Sequence, residues 1–151
     1  MKTAATLILA ALMVAAASAN LHMVDFNSGS NEKALTIKSG DLVRITLSEN
    51  PTTGYAWKYE DPFTKNTGVY SVQMDDFTQE EGHEGMTGAK GSRTIVIKAE
   101  KAGSEDFELV YVRSWEYKDF VETKRAGNGA PVAMKDVPNA GYCKISLQVS
   151  E

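Results

Sequence analysis

The chain is poor in the residues that metal sites and many catalytic sites require. Its 151 residues include one cysteine and two histidines. A single cysteine excludes an internal disulfide, so a stable domain must depend on its hydrophobic core. His83 lies in an acidic patch at residues 80–84, but one histidine with flexible carboxylates is a poor set of zinc ligands and is more typical of a solvated loop. The sequence therefore predicts no metal site and no cofactor.

Motifs for catalysis are missing as well. Cys143 lies in the alternating run 143–149 and has no local signature of a cysteine nucleophile. We expect a buried, small apolar side chain there, with intermolecular pairing or a reactive thiol as the alternative. Residues 88–92 read GAKGS, which lacks the lysine directly before Ser or Thr that a phosphate-binding loop requires. The sequence therefore predicts that the protein is not an enzyme.

Positive charge is also in short supply. The chain has 16 Lys and Arg residues against 20 Asp and Glu residues. Without the N-terminal segment described next, which contains Lys2 and no acid, the balance is 15 against 20, a net charge of −5. A nucleic-acid-binding domain needs a basic surface, and a membrane-surface protein needs a basic patch. We therefore expect neither nucleic acid nor a membrane as partner.

Long apolar runs are confined to the N-terminus. A basic start at Lys2 is followed by apolar residues 6–17 and by the small-residue sequence Ala17-Ser18-Ala19. The run is shorter than the roughly 20 residues of a membrane span, and the pattern is that of a cleavable signal peptide. We therefore expect a signal peptide at 1–19 and a single domain at 20–151 that is secreted, periplasmic or lysosomal/vesicular. His22 would follow the cleavage site closely, and we expect it to be mobile.

Most of the remaining chain alternates apolar and polar residues with period two, which is typical of β-strands. The segments with this pattern are 21–26, 35–38, 42–47, 55–59, 69–73, 93–99, 107–112 and 143–149. No segment after residue 19 shows a helical stripe, and 101–103 is typical of a tight corner. The pattern predicts an all-β, immunoglobulin-like β-sandwich of about seven to eight strands with Greek-key connections.

Three long connections separate these strands, at residues 48–54, 82–92 and 113–141. Connections this long in a compact domain are usually functional or disordered. In a Greek-key sandwich, the loops after the second, fourth and sixth core strands gather at one end, and the three connections occupy those positions. We therefore expect one end of the sandwich to carry a binding surface.

The first connection contains the sequence Asn50-Pro51-Thr52-Thr53-Gly54. Pro51 fixes its own φ and favours an extended Asn50, while Gly54 permits a turn that a side chain would block. Thr52 and Thr53 are β-branched and have little rotamer freedom to lose. A stiff, hydroxyl-bearing tip of this kind is suited to binding, because ordering a flexible side chain costs roughly 0.5–1.5 kcal/mol.

The two tryptophans, one after the first connection and one within the third, are expected in different environments. Trp115 comes after a strand whose inward positions are already filled, so we expect it to be exposed beside Arg113. Trp and Arg are the residue types that dominate interface hot spots. Trp57 lies within a strand, and we expect it to belong to the core.

These motifs together resemble the chagasin family of peptidase inhibitors. The resemblance covers nearly the whole chain after residue 19 and rests on NPTTGY at 50–55, GAKG at 88–91 and RSW at 113–115. The family has glycine at the position of Lys90 and proline at the position of Ser114. The binding residues that the resemblance implies are Asn50, Pro51, Thr52, Thr53, Gly54, Tyr55, Gly88, Ala89, Lys90, Gly91, Arg113, Ser114 and Trp115.

The resemblance implies a monomeric protein inhibitor of papain-like cysteine peptidases. The Thr52–Thr53 tip would enter the peptidase cleft, and the other two loops would brace it on either side without any covalent step. A second hypothesis is a secreted carbohydrate- or cell-surface-binding sandwich, since exposed aromatics and acidic loops can bind sugar or calcium. A third is a structural envelope subunit, which would assemble rather than inhibit.

Overall fold

Eight β-strands make up most of the computed structural model, which describes residues 18–26, 32–59, 67–80, 90–119, 122 and 141–151. The strands are β1 (Leu21–Asp25), β2 (Glu32–Lys38), β3 (Leu42–Glu49), β4 (Tyr55–Lys58), β5 (Tyr70–Gln79), β6 (Gly91–Ala99), β7 (Gly103–Arg113) and β8 (Tyr142–Ser150). A short 3-10 turn, Pro51–Thr53, joins β3 to β4. Within the described residues, no helix has the length and apolar character needed to span a bilayer.

The strands form two four-stranded sheets. The first sheet has the order β1-β3-β6-β5 and the second the order β2-β8-β7-β4. The β1–β3 and β2–β8 pairs are parallel, and the other pairs are antiparallel. The chain therefore passes repeatedly from one sheet to the other, as Greek-key connections require. The expected all-β, immunoglobulin-like sandwich is confirmed.

The core lies between the sheets and is built from the inward positions of the alternating strands. Val43, Ile45 and Leu47 of β3 are buried. The same holds for the inward residues of the strands opposite and beside it, namely Ile95, Ile97, Ala99, Phe107, Leu109, Cys143, Ile145, Leu147 and Val149. The period-two pattern predicted these faces correctly, because each strand buries one side against the other sheet.

Four details differ from the sequence-based expectations. β5 has ten residues and includes a bulge between Val72 and Met74, so the fifth strand is longer than expected. A helical turn begins at Tyr117, where no helix was expected. His22 is part of β1 and contacts Asp41, so the expectation that it is mobile was wrong. Trp57 is only partly buried and packs at the edge of the core.

Cys143 offers a test of the core assignment. The residue is buried, and burial raises the pKa of its thiol to about 12. Cys143→Ala should lower the free energy of unfolding by about 1–2 kcal/mol, the small end of core truncations, as measured by urea denaturation. The native thiol should also react slowly with iodoacetamide at neutral pH. Rapid alkylation of the folded protein would show that the thiol is accessible and reactive.

Candidate functional site

The register of the strands brings the described parts of the three connections to one end of the sandwich. In the first sheet, Glu49 at the end of β3 pairs with Gly91 at the start of β6. In the second sheet, Tyr55 at the start of β4 pairs with Arg113 at the end of β7. The chain crosses between the sheets from Glu49 to Tyr55, so the first connection lies between the other two. We call this the three-loop end.

Asn50 organises the tip of the three-loop end. Its side-chain oxygen Oδ1 accepts hydrogen bonds from Thr52 N at 3.2 Å and from Thr52 Oγ1 at 2.6 Å. Its carbonyl accepts from Thr53 N at 3.2 Å and from Thr53 Oγ1 at 2.7 Å. Both threonine hydroxyls therefore donate inward, although residues 51–54 are all exposed. Asn50 therefore stabilises the turn through hydrogen bonds with Thr52 and Thr53, as expected of an N-cap residue.

Gly54 ends the turn in a conformation that favours glycine. Its φ is +82°, in the left-handed region, and its N–H donates to the Pro51 carbonyl at 3.0 Å. A Cβ placed at Gly54 would lie 3.2 Å from Cη2 of Trp115. The backbone of the first connection therefore packs against the tryptophan ring of the third connection, and a side chain at position 54 would displace that ring.

A ladder of stacked side chains supports the tip from the second sheet. The Arg113 guanidinium lies 4.6 Å from the Tyr55 ring centre and 5.5 Å from the Trp115 ring centre. Tyr111 continues the ladder, with ring centres 5.4 Å from Tyr55 and 5.0 Å from Trp57. The Tyr111 hydroxyl also accepts a hydrogen bond from Asn50 N at 2.9 Å. Cation–π contacts of this kind contribute about 0.5–2 kcal/mol each, depending on exposure.

Glu116 shapes the third connection. Its N–H donates to the Arg113 carbonyl at 3.0 Å, and its carboxylate accepts from Arg113 N at 3.3 Å. These reciprocal bonds close a tight turn over Ser114 and Trp115. The turn is therefore held without a proline at 114. Trp115 is 67% exposed, as the sequence predicted.

Only part of the second connection lies within the described residues. Lys90 is exposed, and its carbonyl accepts from Glu80 N at 3.1 Å, which closes the base of the β5–β6 hairpin. Gly91 is buried, and a Cβ there would overlap the Phe77 ring and lie 2.5 Å from the Thr78 carbonyl oxygen. Glycine is therefore required at 91 by packing. Gly88 and Ala89 lie outside the described residues, and so does His83.

A buried ion pair beneath the tip was missed by the sequence-based reasoning. Glu49 is 3% exposed, and its carboxylate accepts from Arg93 Nε at 2.8 Å and from Arg93 Nη2 at 3.0 Å. It also accepts from Trp57 N at 3.2 Å. Arg93 further contacts Asp75, whose carboxylate accepts from the Tyr59 hydroxyl at 2.7 Å. Hydrogen bonding to Glu49, and then to Asp75, raises the pKa of Arg93, so this cation stays charged.

The period-two pattern contained the signal for this pair. Glu49 falls on the inward face that Val43, Ile45 and Leu47 define, and Arg93 falls on the inward face of Ile95 and Ile97. A charged residue at an inward position requires a partner of opposite charge. Once the pairing of β3 with β6 is known, the inward position of each charged residue predicts that it pairs with the other.

The structure thus brings together Asn50, Pro51, Thr52, Thr53, Gly54, Tyr55, Lys90, Gly91, Arg113, Ser114 and Trp115 at one end of the sandwich. Within the residues described, no group of three or more His, Cys, Asp or Glu side chains could hold a metal ion. The three-loop end offers a stiff, exposed wedge with an aromatic anchor beside it. Such a surface is suited to filling a cleft of another protein.

Comparisons with known proteins agree with this geometry. The family model described as chagasin family peptidase inhibitor I42 matches residues 36–126, a range that includes all three connections' motifs. Amoebiasin-2 of Entamoeba histolytica is 34% identical over 106 residues, which cover 70% of this chain and 81% of the relative. Chagasin of Trypanosoma cruzi is 32% identical over 87 residues, which cover 56% of this chain and 76% of the relative.

A solved structure shows the same fold. The crystal structure of the cysteine protease inhibitor EhICP2 from Entamoeba histolytica superposes with a TM-score of 0.57 at 25% sequence identity. The similarity covers 88% of this chain and 98% of the other. The resemblance that the motifs suggested is therefore supported over most of the chain, in sequence and in three dimensions.

Proposed function

The chain belongs to the chagasin family of peptidase inhibitors, and from that premise we propose that its three-loop end occludes the active-site cleft of papain-like cysteine peptidases. The protein is an inhibitor of cysteine peptidases and not an enzyme. Its partner is a papain-like cysteine peptidase. The family fixes the activity, and the proposal concerns which residues carry it out and how.

The observation that carries the proposal is that the tip is exposed while its polar groups form hydrogen bonds within the same turn. Residues 51–54 are exposed, yet Thr53 N, Gly54 N and both threonine hydroxyls already have hydrogen-bond acceptors in the same turn. The tip can therefore be buried in a cleft with little loss of conformational entropy and with few unpaired donors. The exposed methyl groups of Thr52 and Thr53 would supply apolar contact.

The same turn would also protect the tip from cleavage by the peptidase. A peptide bond is cleaved when its carbonyl group reaches the nucleophile at a short distance and in the correct orientation. In the tip, the Pro51 carbonyl accepts from Gly54 N and the Asn50 carbonyl accepts from Thr53, so these bonds fix the backbone in a closed turn. Reorienting a carbonyl toward a catalytic cysteine would break the turn, and inhibition would therefore be reversible and noncovalent.

We also propose that the protein is exported. The signal-peptide pattern at 1–19 supports this proposal, and the inhibitory domain would then be residues 20–151. A secreted, periplasmic or lysosomal/vesicular location would follow. Mass spectrometry of the protein recovered from its source or from an exporting host would test where the leader ends.

Titration of papain activity with the purified mature protein tests the function. We expect stoichiometric loss of activity with nanomolar or tighter affinity, equivalent to about −12 kcal/mol or better, which a standard-size interface can supply. Trypsin serves as the control and should keep its full activity. If papain and cathepsin L remain active under a large molar excess, the assignment fails, and a carbohydrate-binding role becomes the hypothesis to test by glycan array.

Trp115→Ala tests the role of the third connection. Aromatic anchors typically contribute about 2 kcal/mol or more to a complex, so the variant should bind papain at least about 30-fold more weakly. Most of the change should appear as faster dissociation, measured by surface plasmon resonance. Because the side chain is 67% exposed, the variant should fold normally.

Met23→Ala is the matched control for Trp115→Ala. Met23 is 62% exposed and lies in the middle of β1, away from the three-loop end. Truncating this exposed apolar side chain should leave the dissociation rate unchanged. If Trp115→Ala and Met23→Ala both bind like the unaltered protein, Trp115 is not an anchor and the third connection has no part in binding.

A further inference from the structure

Asp41 is a buried carboxylate at the end of the sandwich opposite the three-loop end. It lies between β2 and β3 and is 4% exposed. Its Oδ1 accepts from the backbone N–H of Asn20 at 3.0 Å. Its Oδ2 accepts from Lys38 N at 3.0 Å and contacts His22 Nε2 at 2.9 Å. Buried carboxylates are costly unless such partners stabilise the charge.

We propose that Asp41 is the binding site for the α-ammonium group that forms at Asn20 when the leader is cleaved after Ala19. Hydrolysis of the Ala19–Asn20 peptide bond by a leader-cleaving peptidase consumes one water molecule. Ala19 leaves with the new carboxylate, and the nitrogen of Asn20 becomes an amine that takes up a proton. The proposal rests on the proposed export and is independent of the inhibitory function.

Two separate observations place the new terminus at the same residue. The small-residue sequence Ala17-Ser18-Ala19 predicts cleavage immediately before Asn20. In the structure, Ser18 and Ala19 are exposed and precede the strand. Asn20 is where the chain joins the sandwich, because its N–H donates to Asp41 and its carbonyl accepts from Leu42 N at 2.9 Å. The predicted cleavage site therefore lies at the boundary of the folded domain.

Cleavage would place a positive charge on the donor that Asp41 already binds. In the uncleaved chain, Asn20 contributes one amide N–H to Asp41. After cleavage, the same nitrogen carries a positive charge and three donors, so an attraction between opposite charges is added to the hydrogen bond that the carboxylate already accepts. Hydrogen bonds from Lys38 N, then His22, hold the pKa of Asp41 at about 2, so the carboxylate is ready to pair at any physiological pH.

The ion pair would fasten the beginning of β1, which is an edge strand joined to the sheet through β3 alone among the described strands. His22 already contacts Asp41, with Nε2 lying 2.9 Å from Oδ2. Lys38 precedes the turn that contains Asp41, Lys98 pairs with Leu42 across the sheet, and Glu100 and Glu151 follow residues that bond to this turn. All four side chains are exposed or half-exposed. The α-ammonium would form at a nitrogen that already lies 3.0 Å from Asp41 Oδ1.

The test compares three purified chains that differ only at the N-terminus. One begins at Asn20, one begins at Ala19, and one begins at Asn20 with an acetylated α-amine. The α-ammonium adds a Coulomb attraction to Asp41 that the uncharged amide nitrogen of Asn20 in the other two chains lacks. The Asn20 chain should therefore have a roughly fivefold to tenfold smaller unfolding equilibrium constant than the other two at pH 6–7.

The advantage should depend on pH in a defined direction. An ammonium that gains an anionic partner on folding has a higher pKa in the folded protein than in the unfolded chain. Its contribution to stability is therefore fully present below the unfolded α-amine pKa of roughly 7.7–8.0 and is lost as pH rises through the pKa of the folded protein. The three chains should therefore converge in stability at about pH 10. At all values, they should inhibit papain equally, because Asp41 lies at the far end of the sandwich.

Asp41→Asn tests whether the carboxylate is the partner of the α-ammonium group. In this background, the three N-termini should give equal stability, because the anionic partner is gone. If the variant does not fold, the α-amine of the unaltered Asn20 chain is probed by competitive acetylation and mass spectrometry, and it should react at least about fivefold more slowly than the α-amine of the Ala19 chain. Equal stability of the three chains, equal acetylation rates, or an exported protein that begins elsewhere than Asn20 would overturn the proposal.

Discussion

Gly54→Val should weaken inhibition of papain by at least about a hundredfold while the sandwich remains folded. A Cβ at 54 meets Trp115 Cη2 at 3.2 Å, and valine adds two methyl groups to it. The φ of +82° is also a conformation that a β-branched residue avoids, at a cost of roughly 1–2 kcal/mol. Both effects displace the tip and its anchor together. A hundredfold loss corresponds to about 2.7 kcal/mol.

Gly40→Val separates backbone strain from loss of the binding surface. Gly40 has a φ of +93°, similar to that of Gly54, but nothing lies within 4 Å of a Cβ placed there. It is in the turn before β3, at the end of the sandwich far from the tip. The two variants should have comparable stability in urea, and only Gly54→Val should lose affinity. Equal affinities for both would mean that the shape of the tip does not matter for binding.

Arg93→Met should have the largest effect on stability, lowering the free energy of unfolding by about 3–5 kcal/mol. The substitution keeps much of the side-chain volume and leaves the Glu49 carboxylate without its bidentate partner, at 3% exposure. Removing one partner of a buried ion pair is costly because the remaining charge is uncompensated. Urea denaturation measures the change.

Lys118→Met and a double variant provide the controls for Arg93→Met. Lys118 pairs with Glu122 at 3.8 Å, but their side chains are 82% and 64% exposed, so its loss should change stability by at most a few tenths of a kcal/mol. Adding Glu49→Gln to Arg93→Met removes the orphaned charge and should recover part of the loss. A single variant as stable as the unaltered protein would show that the pair contributes nothing.

Arg93→Met should also weaken inhibition, although Arg93 does not reach the tip. Glu49 directly precedes Asn50 and accepts from Trp57 N, so it holds the chain on both sides of the first connection. Without Arg93, the Glu49 carboxylate is no longer held in place, so the residues on both sides of the turn lose a fixed contact. The variant should dissociate from papain faster than the unaltered protein even at temperatures where it is fully folded.

The sequence by itself determined the strands, the inward faces and the position of the three motifs. These depend on local rules: period-two alternation sorts β3 and β8 into buried and exposed faces, and Pro51 and Gly54 confine the backbone on either side of the tip. The exposure of Trp115 followed from the same alternation, because the inward places of β7 were already taken. Cys143 was assigned to the core in this way as well.

Only the tertiary structure decided which of these local pieces support one another. Residues far apart in sequence are joined by the parallel pairing of β1 with β3, by the ring contacts of Tyr111 with Tyr55 and Trp57, and by the Glu49–Arg93 pair. No local pattern specifies such partners, because alternation gives the face of a residue and not the neighbouring strand. The same reason explains His22. Its position near a predicted cleavage site suggested mobility, but it contacts Asp41, a residue that only the strand order brings beside it.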